Sequence, residues 1–175
     1  FARLHGYEHI PEKLPVMGAA PSPHAPQFSL SQKVSQLLRR EGFNEAFNYA
    51  FVPEKEHVSF LGAMDVYAKY GFKVQSTPVK IKNPISEEMN VMRQFLSFGL
   101  WKNCTHNFRY GISLGRLFEM NQVFDKVSDG FTQNWNLSAV VWGHHETYMS
   151  PKNDETYLFY ELKSHIENIL KNLSI

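Results

Sequence analysis

The sequence predicts an α+β fold in which a largely antiparallel sheet is flanked by helices. Hydrophobic residues occupy 43% of the 175 positions, which is enough to fill the core of one domain. Segments with helical periodicity are separated by pairs of strand-like segments, without the strict strand–helix–strand alternation that is typical of a parallel sheet.

The N-terminal stretch predicts a domain boundary. Five prolines lie between His9 and Gln27, and each of them fixes φ and removes a backbone hydrogen-bond donor. We therefore expect an extended linker at residues 9–28, between a helical remnant of a preceding module at residues 1–8 and a core domain at residues 29–175. The chain begins without methionine and stops just after a predicted helix. We expect both ends to be cuts in a longer protein.

The core is predicted to begin with a helix and a strand. Ser29 and Gln32 have the spacing of a capping box, an apolar stripe follows them, and Gly42 ends the helix. The segment 43–52 then alternates as a strand does, and a proline follows it. The residues that share one face of this predicted strand are Phe47, Tyr49 and Phe51.

The later elements follow from the same two periodicities. Helices are predicted at residues 53–61, 95–108 and 157–173. Strands are predicted at residues 79–82, 117–124 and 137–142. In the second of these helices, Phe95, Phe98 and Trp101 widen the apolar stripe, so we expect contacts on more than one side.

Charge and cysteine content exclude several classes of protein. The formal charge is only +1, whereas a domain that grips nucleic acid over a wide face is usually much more basic. An independent winged-helix or RNA-binding module stays an alternative, but it would need a basic stripe interleaved with aromatics. The single cysteine, Cys104, excludes an internal disulfide and a multi-cysteine zinc site. No uncharged run reaches the length of a membrane span, so we expect a cytoplasmic protein with no membrane partner.

No pattern of residues identifies an active site. His144 and His145 are adjacent, so on a strand they would point to opposite faces and could not easily share a metal. Ser86, Glu87 and Glu88 follow a turn and are most simply a helix start, although a pair of acid/base carboxylates stays possible. There is no nucleophile elbow, phosphate-binding glycine loop or dinucleotide fingerprint.

Four segments carry a resemblance to a known family. They are Ala2–Pro11, Gln32–Val52, Asn83–Arg93 with its continuation to Phe124, and Phe159–Lys163. The first reads ARLHGYEHIP, and the third begins NPISEEMNVMR. In order and spacing these segments resemble the β-subunit family of bacterial phenylalanyl-tRNA synthetase. Two stretches, residues 62–76 and 125–134, match nothing firmly.

The resemblance implies a class II synthetase-like sheet that has lost catalysis. The helix and strand at residues 29–52 correspond to the dimer-forming first motif of class II enzymes, and the strand 117–124 stands where a catalytic subunit has its ATP-binding second motif. That motif places an arginine two residues before a glutamate. Here Arg116 lies three residues before Glu119, so on a strand the two should point to opposite faces. We therefore expect no catalytic or cofactor-binding residue, with an active class II enzyme as the alternative that ATP binding would reveal.

The resemblance also implies partners and cofactors for the parent enzyme. The chain would be a non-catalytic structural and assembly domain, supporting the α-subunit active site in ATP-dependent charging of tRNA(Phe) with phenylalanine. An α2β2 heterotetramer is expected, with tRNA(Phe) bound only in the assembled enzyme. Mg²⁺ and ATP serve the whole enzyme. The family's magnesium ligands would fall just before Phe1, so no metal or cofactor is expected on this fragment.

A surface for the α-subunit is expected on the first-motif helix and strand and on the helix after Arg93. Aromatic residues in excess of one apolar stripe, beside arginines, are the composition expected of an interface core. The candidate interface residues are Arg39, Arg40, Phe47, Tyr49, Phe51, Arg93, Phe98 and Trp101. The alternative is that one domain buries all the aromatic residues among them.

Overall fold

The computed structural model describes residues 2–11, 13, 26–64, 77–143 and 156–174. The helices in these ranges are α1 (Ala2–His5), α2 (Pro26–Arg40), α3 (Glu54–Met64), α4 (Ser97–Arg109) and α5 (Thr156–Leu173). The strands are β1 (Asn44–Glu45), β2 (Phe51–Val52), β3 (Val91–Met92), β4 (Gly115–Val127) and β5 (Gly130–Trp142). Short 3-10 turns occupy Tyr7–His9 and Glu87–Met89.

Two small sheets organise the chain. The three-stranded sheet has the order β1-β4-β5, in which β4 and β5 form a long antiparallel hairpin and β1 runs parallel to β4. The second sheet pairs β2 with β3 in antiparallel fashion, and a single bridge from Lys80 to Val91 extends it. The predicted α+β fold with a largely antiparallel sheet is thus confirmed.

The main core lies between the three-stranded sheet and helices α2 and α5. Phe118 of β4 is completely buried at its centre, and side chains from both helices surround it. The buried members of this core are Val34, Leu38, Phe43, Phe118 and Ile169. A second cluster joins the two-stranded sheet to α4 through Val52, Val91 and Phe98, and Phe60 of α3 packs against it. None of the helices in the described part of the chain is long and apolar enough to cross a membrane.

Helix α2 begins earlier than predicted. It starts at Pro26, three residues before Ser29, because proline is tolerated in the first helical turn, where the backbone N–H has no intrahelical acceptor. The last three residues of the predicted linker are therefore helical, and Ser29 is not the helix N-cap. Most of the linker, residue 12 and residues 14–25, lies outside the described residues, so the domain boundaries stay a prediction.

The strand predicted at residues 43–52 was wrong as a single element. Only β1 and β2 are strands, they belong to different sheets, and residues 46–50 between them are irregular. The strand predicted at residues 79–82 is reduced to the single bridge at Lys80. By contrast, α3, α4, α5 and β4 form where helices and a strand were predicted, with boundaries shifted by a few residues. The strand predicted at residues 137–142 is also present, but β5 begins seven residues earlier, at Gly130.

His57 of α3 is a fully buried polar residue in the aromatic cluster. Its ring stacks on Phe95 at a centroid distance of 4.7 Å, and Nε2 lies 3.2 Å from Oε1 of Gln94. Burial lowers the pKa of His57 below its ordinary value of 6.5, and this effect outweighs the opposing hydrogen bond to Gln94. The fold therefore favours a neutral imidazole at this position.

This burial predicts a pH dependence of stability. Above pH 6.5 the imidazole is mostly neutral in both the folded and the unfolded chain, so its burial does not change the free energy of unfolding with pH. Below pH 6.5 the unfolded chain binds a proton that the folded chain, with its lowered pKa, does not. The free energy of unfolding therefore falls as the pH drops, by at most about 1.4 kcal/mol per pH unit. Urea denaturation at pH 7.5 and 5.5 should show this loss, and His57→Gln should reduce it. His9→Gln, which removes an exposed histidine, is the control. An equal loss in wild type and His57→Gln would contradict the assignment.

Candidate functional site

A buried ion pair lies at the centre of the described residues. Nη1 of Arg93 is 2.6 Å from Oε1 of Glu119, and the two side chains are only 3% and 1% exposed. Nε of Arg93 also donates to the carbonyl oxygen of Gln122 at 3.1 Å. Two charges withdrawn from water are tolerated only when their remaining polar atoms are also bonded, so the groups around the pair decide its stability.

Asn48 completes the polar surroundings of this pair. Its backbone N–H donates to Oε1 of Glu119 at 3.3 Å, and its Nδ2 donates to Oε2 at 2.8 Å. Its carbonyl oxygen accepts from Nη1 of Arg93 at 3.3 Å. Both oxygens of Glu119 are therefore bonded. We call Asn48, Arg93 and Glu119 the polar lock.

Gly99 of α4 leaves the space that Asn48 fills. A Cβ atom at position 99 would lie 2.9 Å from Cγ and Nδ2 of Asn48, closer than real Cβ contacts are. The Asn48 side chain cannot retreat without breaking its bonds to Glu119. Glycine at this helical position is therefore required by packing, in spite of its poor helix propensity.

The polar lock also orients the irregular segment 46–50. Ala46 donates its N–H to the carbonyl oxygen of Phe118 at 2.7 Å, and Ala50 accepts from the N–H of Arg93 at 2.9 Å. Residues 46, 48 and 50 thus face the protein. The side chains between them, Phe47 and Tyr49, are 79% and 74% exposed.

A second polar cluster lies on the other face of β4. Arg116 shares that face with Phe118, and its Nε donates to Oε1 of Glu161 of α5 at 2.7 Å. Nδ1 of His165 lies 2.7 Å from Oε2 of Glu41, which follows α2. These contacts tie α5 to the end of α2 and to the sheet.

The residues present do not fit an ATP-phosphate site. Arg116 and Glu119 lie on opposite faces of β4, as their spacing predicted, and each is already paired with another charged residue. A cleft of about 240 Å³ beside Trp142 includes Arg116 in its wall, but the guanidinium there is bound by Glu161. Among the residues that the structure describes, no group of three or more histidine, cysteine or acidic side chains could hold a metal ion.

The structure divides the predicted interface residues into two groups. The exposed ones are Arg39, Arg40, Phe47, Tyr49, Phe51 and Trp101. The other two, Arg93 and Phe98, are buried at 3% and 5% exposure, so their predicted place on the surface was wrong. Arg93 is turned inward by its pairing with Glu119, and Phe98 belongs to the second core cluster.

Asn48 and Gly99 were missed by the sequence analysis, because neither has a direct signal in the sequence. One signal did point to a distant partner for Arg93, since no acidic residue occurs between Glu88 and Glu119. Arg93 therefore has no acidic residue within four positions of it in the chain, and Glu119 is the next acid after it.

The first prediction from this geometry concerns the ion pair. Glu119→Gln leaves the buried Arg93 charge unpaired and should lower the free energy of unfolding by about 3–5 kcal/mol. Replacing both partners, as Arg93→Met with Glu119→Leu, should recover much of that loss. Urea denaturation measures both. Arg39→Ala, which breaks the exposed pair with Glu45, is the control and should cost less than about 1 kcal/mol. If Glu119→Gln and Arg39→Ala lower the free energy of unfolding equally, then breaking the buried ion pair costs no more than breaking the exposed one, and the prediction is wrong.

The second prediction concerns glycine in helices. Gly99→Ala should destabilise the chain by about 1–3 kcal/mol, because the new methyl group overlaps the Asn48 side chain. Gly62→Ala in α3 meets no atom within 4 Å and should instead stabilise the chain by about 0.5–1 kcal/mol. Thermal or urea unfolding compares the two variants. A stabilising Gly99→Ala would show that Asn48 is free to move.

Comparison with known proteins assigns the chain to a family. A model described as the phenylalanyl tRNA synthetase beta chain CLM domain matches residues 10–175. The phenylalanine–tRNA ligase beta subunit of Bdellovibrio bacteriovorus is 43% identical over 176 residues, covering 100% of this chain and 22% of that protein. Its counterpart in Syntrophotalea carbinolica is 32% identical over 179 residues, covering 99% and 21%. The chain thus spans about a fifth of the length of these relatives.

Solved structures support the same fold. A pyrrolysyl-tRNA synthetase from Desulfitobacterium hafniense has a TM-score of 0.60 over 86% of this chain and 46% of its own, at 12% identity. An ATP phosphoribosyltransferase regulatory subunit/histidyl-tRNA synthetase from Bacillus halodurans has a TM-score of 0.53 over 90% and 39%, at 10% identity. At such identities the likeness shows the fold, which is that of class II aminoacyl-tRNA synthetases. The family model matches nearly the whole sequence. The chain therefore belongs to the phenylalanyl-tRNA synthetase β-chain family and corresponds to its CLM domain.

Proposed function

We propose that this chain is a non-catalytic structural and assembly domain of a phenylalanine–tRNA ligase β-subunit. It supports the active site of the α-subunit while the whole enzyme charges tRNA(Phe) with phenylalanine at the expense of ATP. The observation that carries the proposal is the pairing of Arg116 and Glu119 with other residues on opposite faces of β4. The two charged residues at the second-motif position thus bind other residues of the chain and not a nucleotide.

Electrostatics support the non-catalytic assignment. Stabilising a phosphate requires preorganised donors whose positive charge is not already neutralised. Arg116 is bound by Glu161, and Arg93 is enclosed by Glu119 and two backbone carbonyl groups. Arg93 cannot turn towards a nucleotide without leaving the buried carboxylate of Glu119 unpaired, which costs on the order of 3–5 kcal/mol. Arg116 would have to give up its bonds to the half-buried Glu161.

The parent enzyme supplies the context for this domain. We propose a cytoplasmic α2β2 heterotetramer that uses ATP and Mg²⁺ and binds tRNA(Phe) in its assembled form. The division of this chain into a remnant at residues 1–8, a linker and a core domain belongs to the same proposal, with the core starting at Pro26. The family names of the relatives support this proposal.

The proposed assembly surface consists of the predicted interface residues that are exposed. Its centre is the aromatic segment with Phe47 at 79%, Tyr49 at 74% and Phe51 at 38% exposure, and Trp101 of α4 adds a side chain at 58%. Arg39 and Arg40 lie on the outer side of α2. Large aromatic residues and arginine are the residue types that carry most of the binding energy in interfaces. Phe98, which is buried, contributes to folding and not to this surface.

The first test of the proposal is nucleotide binding. The purified chain should neither bind ATP at micromolar concentration nor catalyse phenylalanine-dependent pyrophosphate exchange, because its two candidate phosphate ligands are paired. Calorimetry and an exchange assay measure the two activities, and the assembled ligase is the positive control. ATP binding that Arg116→Ala abolishes would establish an active class II site instead.

The second test is subunit assembly. Phe47→Ala with Tyr49→Ala in the full-length β-subunit should weaken association with the α-subunit by about 2 kcal/mol or more, roughly thirtyfold. Tyr110→Ala removes an aromatic side chain of similar exposure, 76%, outside the proposed surface and is the matched control. Association is measured by titration of the separately purified, folded subunits. Equal affinity for the double variant and the control variant would exclude this surface.

A further inference from the structure

We propose that Asn48 is a positioning residue for subunit assembly. Together with Arg93 and Glu119 it holds the segment 46–50 in one conformation, so that Phe47 and Tyr49 form two fixed anchors. The surface that these anchors fit is apolar, uncharged and part of a protein. The inference rests on the proposed function, because the α-subunit is taken as the partner.

Backbone bonds hold the two ends of the segment, and Asn48 holds its middle. Ala46 donates its N–H to the carbonyl oxygen of Phe118, and Ala50 accepts from the N–H of Arg93, next to the ladders of β1 and β2. Between them, the N–H of Asn48 donates to Oε1 of Glu119, and its carbonyl oxygen accepts from Nη1 of Arg93. Of these three residues only Asn48 is also held by its side chain, which donates to Oε2 of Glu119. Asn48 is therefore the residue whose side chain holds the middle of the segment, between Phe47 and Tyr49.

The exposed aromatic side chains explain why this order matters. Binding orders flexible groups at a cost in conformational entropy, and a fixed backbone lowers that cost. Phe47 and Tyr49 stand on either side of the bonded residue, with less than a third of each side chain covered by this chain. A rigid pair of aromatic anchors suits hot-spot recognition.

The charges around the segment identify the partner as a protein surface. Residues 46–53 contain no charged side chain. Two neighbouring cations are paired, Arg93 with Glu119 and Arg39 with Glu45. Nucleic-acid recognition by aromatic residues usually combines base stacking with free cations along the backbone. A neutral partner surface with apolar pockets is the better match.

The test is a mutant cycle in the full-length β-subunit, titrated with the α-subunit. Asn48→Ala should weaken association by about tenfold, or roughly 1.4 kcal/mol. In a subunit that already carries Phe47→Ala and Tyr49→Ala, the same change should have no further effect, because no anchors remain to be positioned. If Asn48 only stabilised the fold, Asn48→Ala would lower the affinity for the α-subunit equally with and without the two aromatic side chains. That result would overturn the proposal. Unfolding of each variant confirms that it is folded.

Gly99→Ala provides a second variant if Asn48→Ala does not fold. It displaces the Asn48 side chain without removing it and should weaken the same association, whereas Gly62→Ala should not. An effect of Gly62→Ala equal to that of Gly99→Ala would overturn the positioning role.

The outcomes separate the two proposals. If the loss of Phe47 and Tyr49 leaves assembly unchanged, the proposed surface is wrong and the positioning role falls with it. If that loss weakens assembly but Asn48→Ala and Gly99→Ala do not, only the positioning role is overturned. Binding of a 12-nucleotide oligouridylate that Tyr49→Ala abolishes, with subunit affinity unchanged, would establish a nucleic-acid surface and overturn the protein partner.

Discussion

Three separate parts of the chain meet at the buried ion pair between Arg93 and Glu119. It joins β4 to the segment that precedes α4, and Asn48 brings the segment 46–50 into the same network. Because both charges are almost fully buried, each remaining polar atom needs a partner, and those partners come from three separate parts of the chain. The glycine at position 99, the break between β1 and β2, and the outward direction of Phe47 and Tyr49 all follow from satisfying this one pair.

The charged residues Arg116 and Glu119, on the two faces of β4, are both engaged in contacts within the chain. On one face Glu119 is saturated by Arg93 and Asn48, and on the other Arg116 is held by Glu161 of α5. The fold is shared with synthetases of low sequence identity, so it does not by itself decide activity. In this chain the charged side chains of Arg116 and Glu119 bind other residues of the chain. Polar groups that could face a substrate are used here to attach helices and a loop to the sheet.

Much of the fold could be predicted from the sequence, because α4, α5 and the inner parts of β4 and β5 have regular hydrophobic patterns. The first half of β5, residues 130–136, was not predicted. The segment 43–52 could not, because alternating aromatics fit a strand and also fit an irregular segment held at every second residue. Arg93 and Phe98 were misplaced because apolar and paired residues of an interface resemble those of a core in sequence. The pairing of Arg93 with Glu119 spans 26 positions, and the contact of Asn48 with Glu119 spans 71, so neither has a local signature.

We propose that the polar lock presents Phe47 and Tyr49 to a partner subunit. Hydroxyl-radical footprinting measures the exposure of these side chains directly, in the full-length β-subunit alone and after assembly with the α-subunit. We expect rapid oxidation of both residues in the free subunit and a severalfold slower rate in the complex. Unchanged oxidation of Phe47 and Tyr49 in a fully assembled complex would contradict it.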